Sequence, residues 1–85
     1  MKAEVKITLT YMGKEEAKSI CDGVSPDNLR RPRGLFIESW VSGESVITHI
    51  KYDGESFATL LSTIDDLLSC VATAERAILA VKRNI

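Results

Sequence analysis

This sequence is poor in the residues that do chemistry. Its 85 positions hold one histidine, two cysteines, two prolines and one tryptophan. With His49 alone, no metal site can be built on two imidazoles, and Cys21 and Cys70 fall in different segments without metal-ligand spacing. No glycine-rich phosphate loop is present, neither GxGxxG nor GxxxxGK. The net charge is −1, so no global field draws the chain to nucleic acid or to a membrane, and any nucleic-acid contact must come from a local patch. There is no unbroken run of 18 apolar residues of the kind that spans a bilayer. The start, MKAEVKITLT, alternates in polarity instead of forming the apolar core of a secretion signal. The two cysteines therefore read as reduced core thiols of a cytoplasmic protein with no membrane partner, although a disulfide between them stays open. No repeat, low-complexity segment or linker divides the chain, and residues 1–85 read as a single domain near the lower end of comfortable size.

What the chain does have is one long helical stretch. From Ser56 to Arg83 there is no glycine or proline. Ser56 is placed to cap the helix, and Lys82 and Arg83 suit the negative end of its dipole. Phe57, Leu61, Ile64, Leu68 and Val71 form one apolar stripe; Leu60, Leu67, Ala74 and Val81, with Cys70 and Ala77, form a second beside it. Together they cover roughly 200° of the wheel, against the ~100° that a one-sided surface helix needs. The helix would run about 40 Å, whereas a compact domain of this size has a radius of gyration near 12 Å. Part of its apolar surface is therefore expected to meet a partner. Glu75 interrupts the first stripe: either the helix has left its own core there, or Glu75 meets a basic group on that partner.

Ahead of this helix, residues 3 to 11 alternate as a half-buried strand, with Ala3, Val5, Ile7, Leu9 and Tyr11 on one face. Lys14 to about Val24 places Ala17, Ile20, Cys21 and Val24 at helical spacing, with Gly23 as the stop. Two prolines and a glycine make Ser25–Gly34 a loop, and its second half carries Arg30, Arg31 and Arg33 with no acid. Leu35–Val41 and Val46–Tyr52 read as a hairpin on a type II′ turn at Gly43. That register sets Leu35, Ile37, Ser39 and Val41 against Tyr52, Ile50, Thr48 and Val46 on a core face. Phe36, Glu38 and Trp40 then face Lys51, His49 and Ile47 on the other. The fold expected is α+β in the order β-α-β-β-α: a three-stranded antiparallel sheet with two helices on one face and a long C-terminal helix. Its open face would carry Phe36, Trp40 and Ile47, a surface suited to a homodimer.

No catalytic set emerges, and no cofactor is implied. Glu38 lies across the hairpin from His49, which reads as a cross-strand surface pair. Asp65 and Asp66 are adjacent on a helix and so point about 100° apart, unlike a shared carboxylate dyad. Cys21 has no base near it in sequence. Arg30, Arg31 and Arg33 are the candidate nucleic-acid contacts, since guanidinium forks match phosphate geometry. The equally open alternative is a solvated loop or a local salt bridge to Asp27. No aromatic residue interleaves them to stack on bases.

Two segments go further. Val24–Leu29 followed by Pro32–Leu35 and Ile37–Glu38 is one; Ser62–Cys70 with Ala74–Glu75 is the other. Both resemble the archaeal Pcc-type small subunit of the KEOPS complex, in the matching element order, and the similarity reaches from the first strand to about Leu79. The resemblance implies a non-catalytic subunit of the assembly that makes threonylcarbamoyladenosine (t6A) next to the anticodon of tRNA. It implies homodimerisation, docking of a separate transferase subunit through the helices, and help in binding tRNA. Carried over by position, Ile20, Val24, Ile64, Leu67, Leu68, Val71 and Glu75 are the transferase-facing residues, some of which must also fill the chain's own core. Two other classes stand beside this one. A free-standing small RNA-binding domain would use the arginine loop as its main site. An acylphosphatase-type enzyme would need an anion-cradling loop, of which Tyr11-Met12-Gly13-Lys14 is a weak version.

Overall fold

The structure, a computed structural model, describes residues 1–24 and 33–83, with side chains described as far as residue 79. Five elements follow in order: β1 (Lys2–Thr10), α1 (Lys14–Gly23), β2 (Leu35–Ser42), β3 (Ser45–Asp53) and α2 (Phe57–Arg83). This is the expected β-α-β-β-α arrangement, an α+β fold. The strands form one antiparallel sheet in the order β1-β3-β2, so β3 is central.

The hairpin has the register that alternation requires. Leu35 faces Tyr52, Ile37 faces Ile50, Ser39 faces Thr48 and Val41 faces Val46. Gly43 takes φ +61 and, among the described residues, no non-glycine residue has positive φ, which is the pattern of a type II′ turn. β1 closes the sheet on the other side of β3, with Val5 opposite Ile50 and Ile7 opposite Thr48. Because side chains alternate, one face collects Ala3, Val5, Ile7, Leu9, Leu35, Ile37, Val46, Ile50 and Tyr52, and there they meet Ala17 and Ile20 of α1, Val24 just after it, and Leu60, Leu67 and Val71 of α2. One polar pair sits on that face, where the hydroxyls of Ser39 and Thr48 lie 2.9 Å apart.

α2 is tied to the sheet at its start. The Tyr52 hydroxyl accepts a hydrogen bond from the Ser56 backbone N–H at 3.2 Å, and Ser56 Oγ accepts one from the Thr59 N–H at 3.2 Å. The serine is the N-cap that the sequence signals. At the far end α2 outruns the sheet, and the molecule measures 48 × 22 × 17 Å. α1 stops at Gly23, but not through a left-handed glycine: among the described residues, positive φ occurs only at Gly34 and Gly43. A Cβ on Gly23 would touch the Ala74 Cβ at 3.4 Å, so the bare backbone lets α1 lie close against α2.

From Phe57 to Leu79, α2 is long and apolar enough to cross a membrane by length and composition. It also carries Asp65, Asp66 and Glu75, and it gives one face to the core of the domain. Lipid around it would have to strip that face from the sheet and solvate the acids in hydrocarbon.

Candidate functional site

The apolar arc of α2 divides into two stripes with different fates. Leu60, Thr63, Leu67 and Val71 are buried against the sheet and α1. Rotated by roughly 100° from these, Phe57, Leu61, Leu68 and Leu79 stay exposed, Phe57 at 58% and Leu79 at 52%, with Ile64 half-buried at the margin. This separates two duties that the sequence leaves mixed. Of the seven transferase-facing residues expected, Ile20, Val24, Leu67 and Val71 are core residues of this chain, none more than 8% exposed, and present no surface to a partner. Leu68 and Glu75 are exposed and Ile64 is partly so. Phe57, Leu61 and Leu79 are exposed on the same stripe and were missing from that set. Their signal was in the sequence, since Phe57 and Leu61 lie three or four residues from the next apolar position of the stripe, and Leu79 continues it four residues beyond Glu75.

Where the exposed stripe reaches Glu75, a cavity of about 230 Å³ opens between Tyr11, Glu16, Ile20, Glu75, Ile78 and Leu79. Tyr11 enters it from the end of β1, held there by its backbone N–H donating to the Glu44 carbonyl at 2.9 Å. Its hydroxyl is buried and makes no well-formed hydrogen bond. Burial first, and then the nearby Glu75 carboxylate, push its pKa up to about 12, because both penalise the phenolate.

The open face of the sheet carries three successive rungs: Phe36 with Lys51, Glu38 with His49, and Trp40 with Ile47. Phe36 is half exposed and Trp40 somewhat less so. The polar rung between them means that Phe36 is not continuous with the Trp40–Ile47 pair. His49 turns away from Glu38: its Nε2 donates to the Glu4 carboxylate on β1 at 2.8 Å, and Lys51 Nζ lies 3.8 Å from the same oxygen. The cross-hairpin pairing expected with Glu38 is thus replaced by one across the other side of β3, where the diagonal position brings the two groups within reach.

Arg30 and Arg31 lie outside the described residues. Arg33 is exposed at the mouth of the loop. The next residue, Gly34, accepts the Asp53 N–H at 2.9 Å with φ +84, which docks the loop's end onto β3. At this end of the sheet an open depression of about 390 Å³ is lined by Lys2, Glu4, Phe36, Lys51 and Asp53, among others. Lys2 and Lys51 thus share a depression that Gly34, the residue after Arg33, also lines, together with Glu4 and Asp53. Sequence order alone did not bring them together, because it needs β1 and β2 to flank β3.

Both cysteines are free thiols. Cys21 is half-buried, and burial, then the Asp22 carboxylate, push its pKa up, which makes it a poorer nucleophile than an ordinary thiol. Among the described residues, no three His, Cys, Asp or Glu side chains converge to hold a metal ion.

No family model matches the chain, and no curated protein matches it. Among solved structures, a chain in the crystal structure of the binary complex Gon7–Pcc1 superposes with a TM-score of 0.80, covering 93% of this chain and 95% of that one at 10% sequence identity. At that identity the likeness establishes a shared fold.

Proposed function

We propose that this chain is a non-catalytic subunit of a KEOPS assembly that modifies tRNA next to the anticodon with threonylcarbamoyladenosine. In this reading it works in the cytoplasm of an archaeon. It homodimerises, docks the transferase subunit through α2, and assists tRNA binding. The observation that carries the reading is the surplus stripe Phe57, Leu61, Leu68 and Leu79, left exposed after the core is complete. A helix that has already filled its core and still presents four large apolar groups is built to lie in a helix bundle. The fold, shared with a chain of the Gon7–Pcc1 complex over nearly its full length, and the two Pcc-like sequence segments support the choice of assembly. Trp40 and Ile47 supply the dimer surface, with Phe36 at its edge. Arg33, with Arg30, Arg31, Lys2 and Lys51, supplies positive charge for tRNA phosphates, a mode that reads shape and charge.

The depression that holds Lys2, Lys51 and the exposed Phe36 ring, with the exposed Arg33 next in sequence to its Gly34 wall, also favours a second reading, a free-standing RNA-binding domain. Titration of the chain against a KEOPS transferase subunit, followed by co-elution, separates the two. One-to-one association per protomer is expected. No association, together with salt-dependent binding of tRNA by the isolated chain, would overturn the assembly role in favour of the second reading.

A further inference from the structure

The exposed stripe of α2 changes character at Glu75. From Phe57 to Leu68 it is apolar; seven residues beyond Leu68, on the same line, stands a carboxylate beside the cavity. Ile20, Ile78 and Leu79 contribute apolar wall, while Tyr11 and Glu75 contribute oxygen. At about 230 Å³ the space falls below the roughly 300–1,000 Å³ of drug-sized ligand sites, and it suits one long side chain.

The chemistry narrows the occupant. An anion would meet Glu75, and Glu16 besides. A purely aliphatic group would bury the Glu75 carboxylate beside the Tyr11 hydroxyl with no cation next to it, and a buried charge without a counter-charge is costly. A cation on an aliphatic stem satisfies both demands. Its methylenes lie on Ile78 and Leu79, and its N–H groups donate to the Glu75 carboxylate and the Tyr11 oxygen. Glu16 has an interaction of its own, and Glu75, which lines the cavity beside Tyr11, is the carboxylate that the ligand's charge meets.

We infer that this cavity receives a lysine or arginine side chain from an amphipathic helix of the partner that covers the apolar stripe of α2. The inference rests on the docking role proposed above and adds the partner's chemistry. Leu68 and Glu75 are two turns apart, about 10.5 Å along the axis. The partner helix therefore carries its basic residue about two turns beyond the apolar residue that packs on Leu68.

Two measurements test this. The first follows backbone amide resonances of the full chain during titration with n-butylguanidinium chloride, and in parallel with n-butylurea, which keeps the alkyl stem and lacks the charge. Saturable shifts at Tyr11, Glu16, Ile20, Glu75 and Ile78 are expected with the guanidinium, with the urea at least about five-fold weaker. Glu75→Gln, at an exposed position, should erase the difference while leaving remote resonances in place. Equal binding of the two probes, or no saturable shift at these residues, would overturn the cation site. The second measures the transferase complex with Glu75→Gln and with Leu68→Ala. Weakening by both is expected. An affinity unchanged by Glu75→Gln but lowered by Leu68→Ala would overturn the seating of a basic side chain there. Failure of the transferase to bind a chain whose cavity still prefers the guanidinium would overturn the assembly role and the partner helix with it, and leave only the cavity's preference for a cation.

Discussion

Leu67 and Leu68 are neighbours in sequence, identical in type, and opposite in fate. Leu67 is 1% exposed and Leu68 43%. Truncating Leu67 to alanine empties a fully enclosed site between sheet and helices, at a cost of about 2–5 kcal/mol. For a domain of this size each kcal/mol moves the Tm by about 4–8 °C, so a mid-range loss of ~3 kcal/mol lowers it by roughly 12–24 °C. Truncating Leu68 removes a side chain that water already reaches, and the folded chain alone should change by no more than ~0.5 kcal/mol. Its effect is expected on the transferase complex. Burying the remaining 43% of a leucine contributes about 0.6–1.3 kcal/mol, from the 1.5–3 kcal/mol of full burial. That predicts a Kd raised by roughly 3- to 9-fold. Thermal unfolding followed by circular dichroism reads the first effect, and titration calorimetry with the transferase the second. Equal loss of stability in the two variants would refute the division of α2 into a core stripe and a docking stripe.

Trp40→Glu places a carboxylate on the apolar rung of the open sheet face and should convert a dimer to a monomer in light scattering; an unchanged mass would remove that rung from the dimer surface. Gly34→Ala requires a side chain at φ +84, and its Cβ would run into the Asp53 carbonyl; a loss of at least about 2 kcal/mol is expected from denaturant unfolding, and a neutral result would mean that the loop is not anchored there. Tyr11 should titrate near pH 12 by absorbance and fall only part of the way in Glu75→Gln, because burial, the larger cause, stays. Since the folded state holds this proton more tightly than the unfolded chain, its contribution to stability is complete below pH 10 and is lost as pH rises to about 12. The Tyr11→Phe chain, having no such proton, should show a shallower fall over that window, and parallel curves for the two chains would contradict the burial of the hydroxyl.

The local rules of the sequence were sufficient for the elements and for the hairpin. Alternation in β1, β2 and β3 has a period of two, so one correct turn at Gly43 forces every cross-strand pair from Val41–Val46 to Leu35–Tyr52. Ser56 and the unbroken run after it were likewise enough for the start of α2. Three matters were settled only by the tertiary structure. A helix with an apolar arc of roughly 200° can be turned either way onto a sheet without changing its pattern. The core side, Leu67 and Val71 against Leu68 and Leu61, was therefore decided by where α1 and β3 lie. The partner of His49 depended on β1 adding to the far edge of β3, a pairing between residues distant in sequence, which brought Glu4 within 2.8 Å and left Glu38 aside. The cavity at Tyr11 and Glu75 needed the end of β1, the first turns of α1 and the last turns of α2 in one place. Periodicity fixes directions within an element; only the packing of distant elements determines what those directions meet.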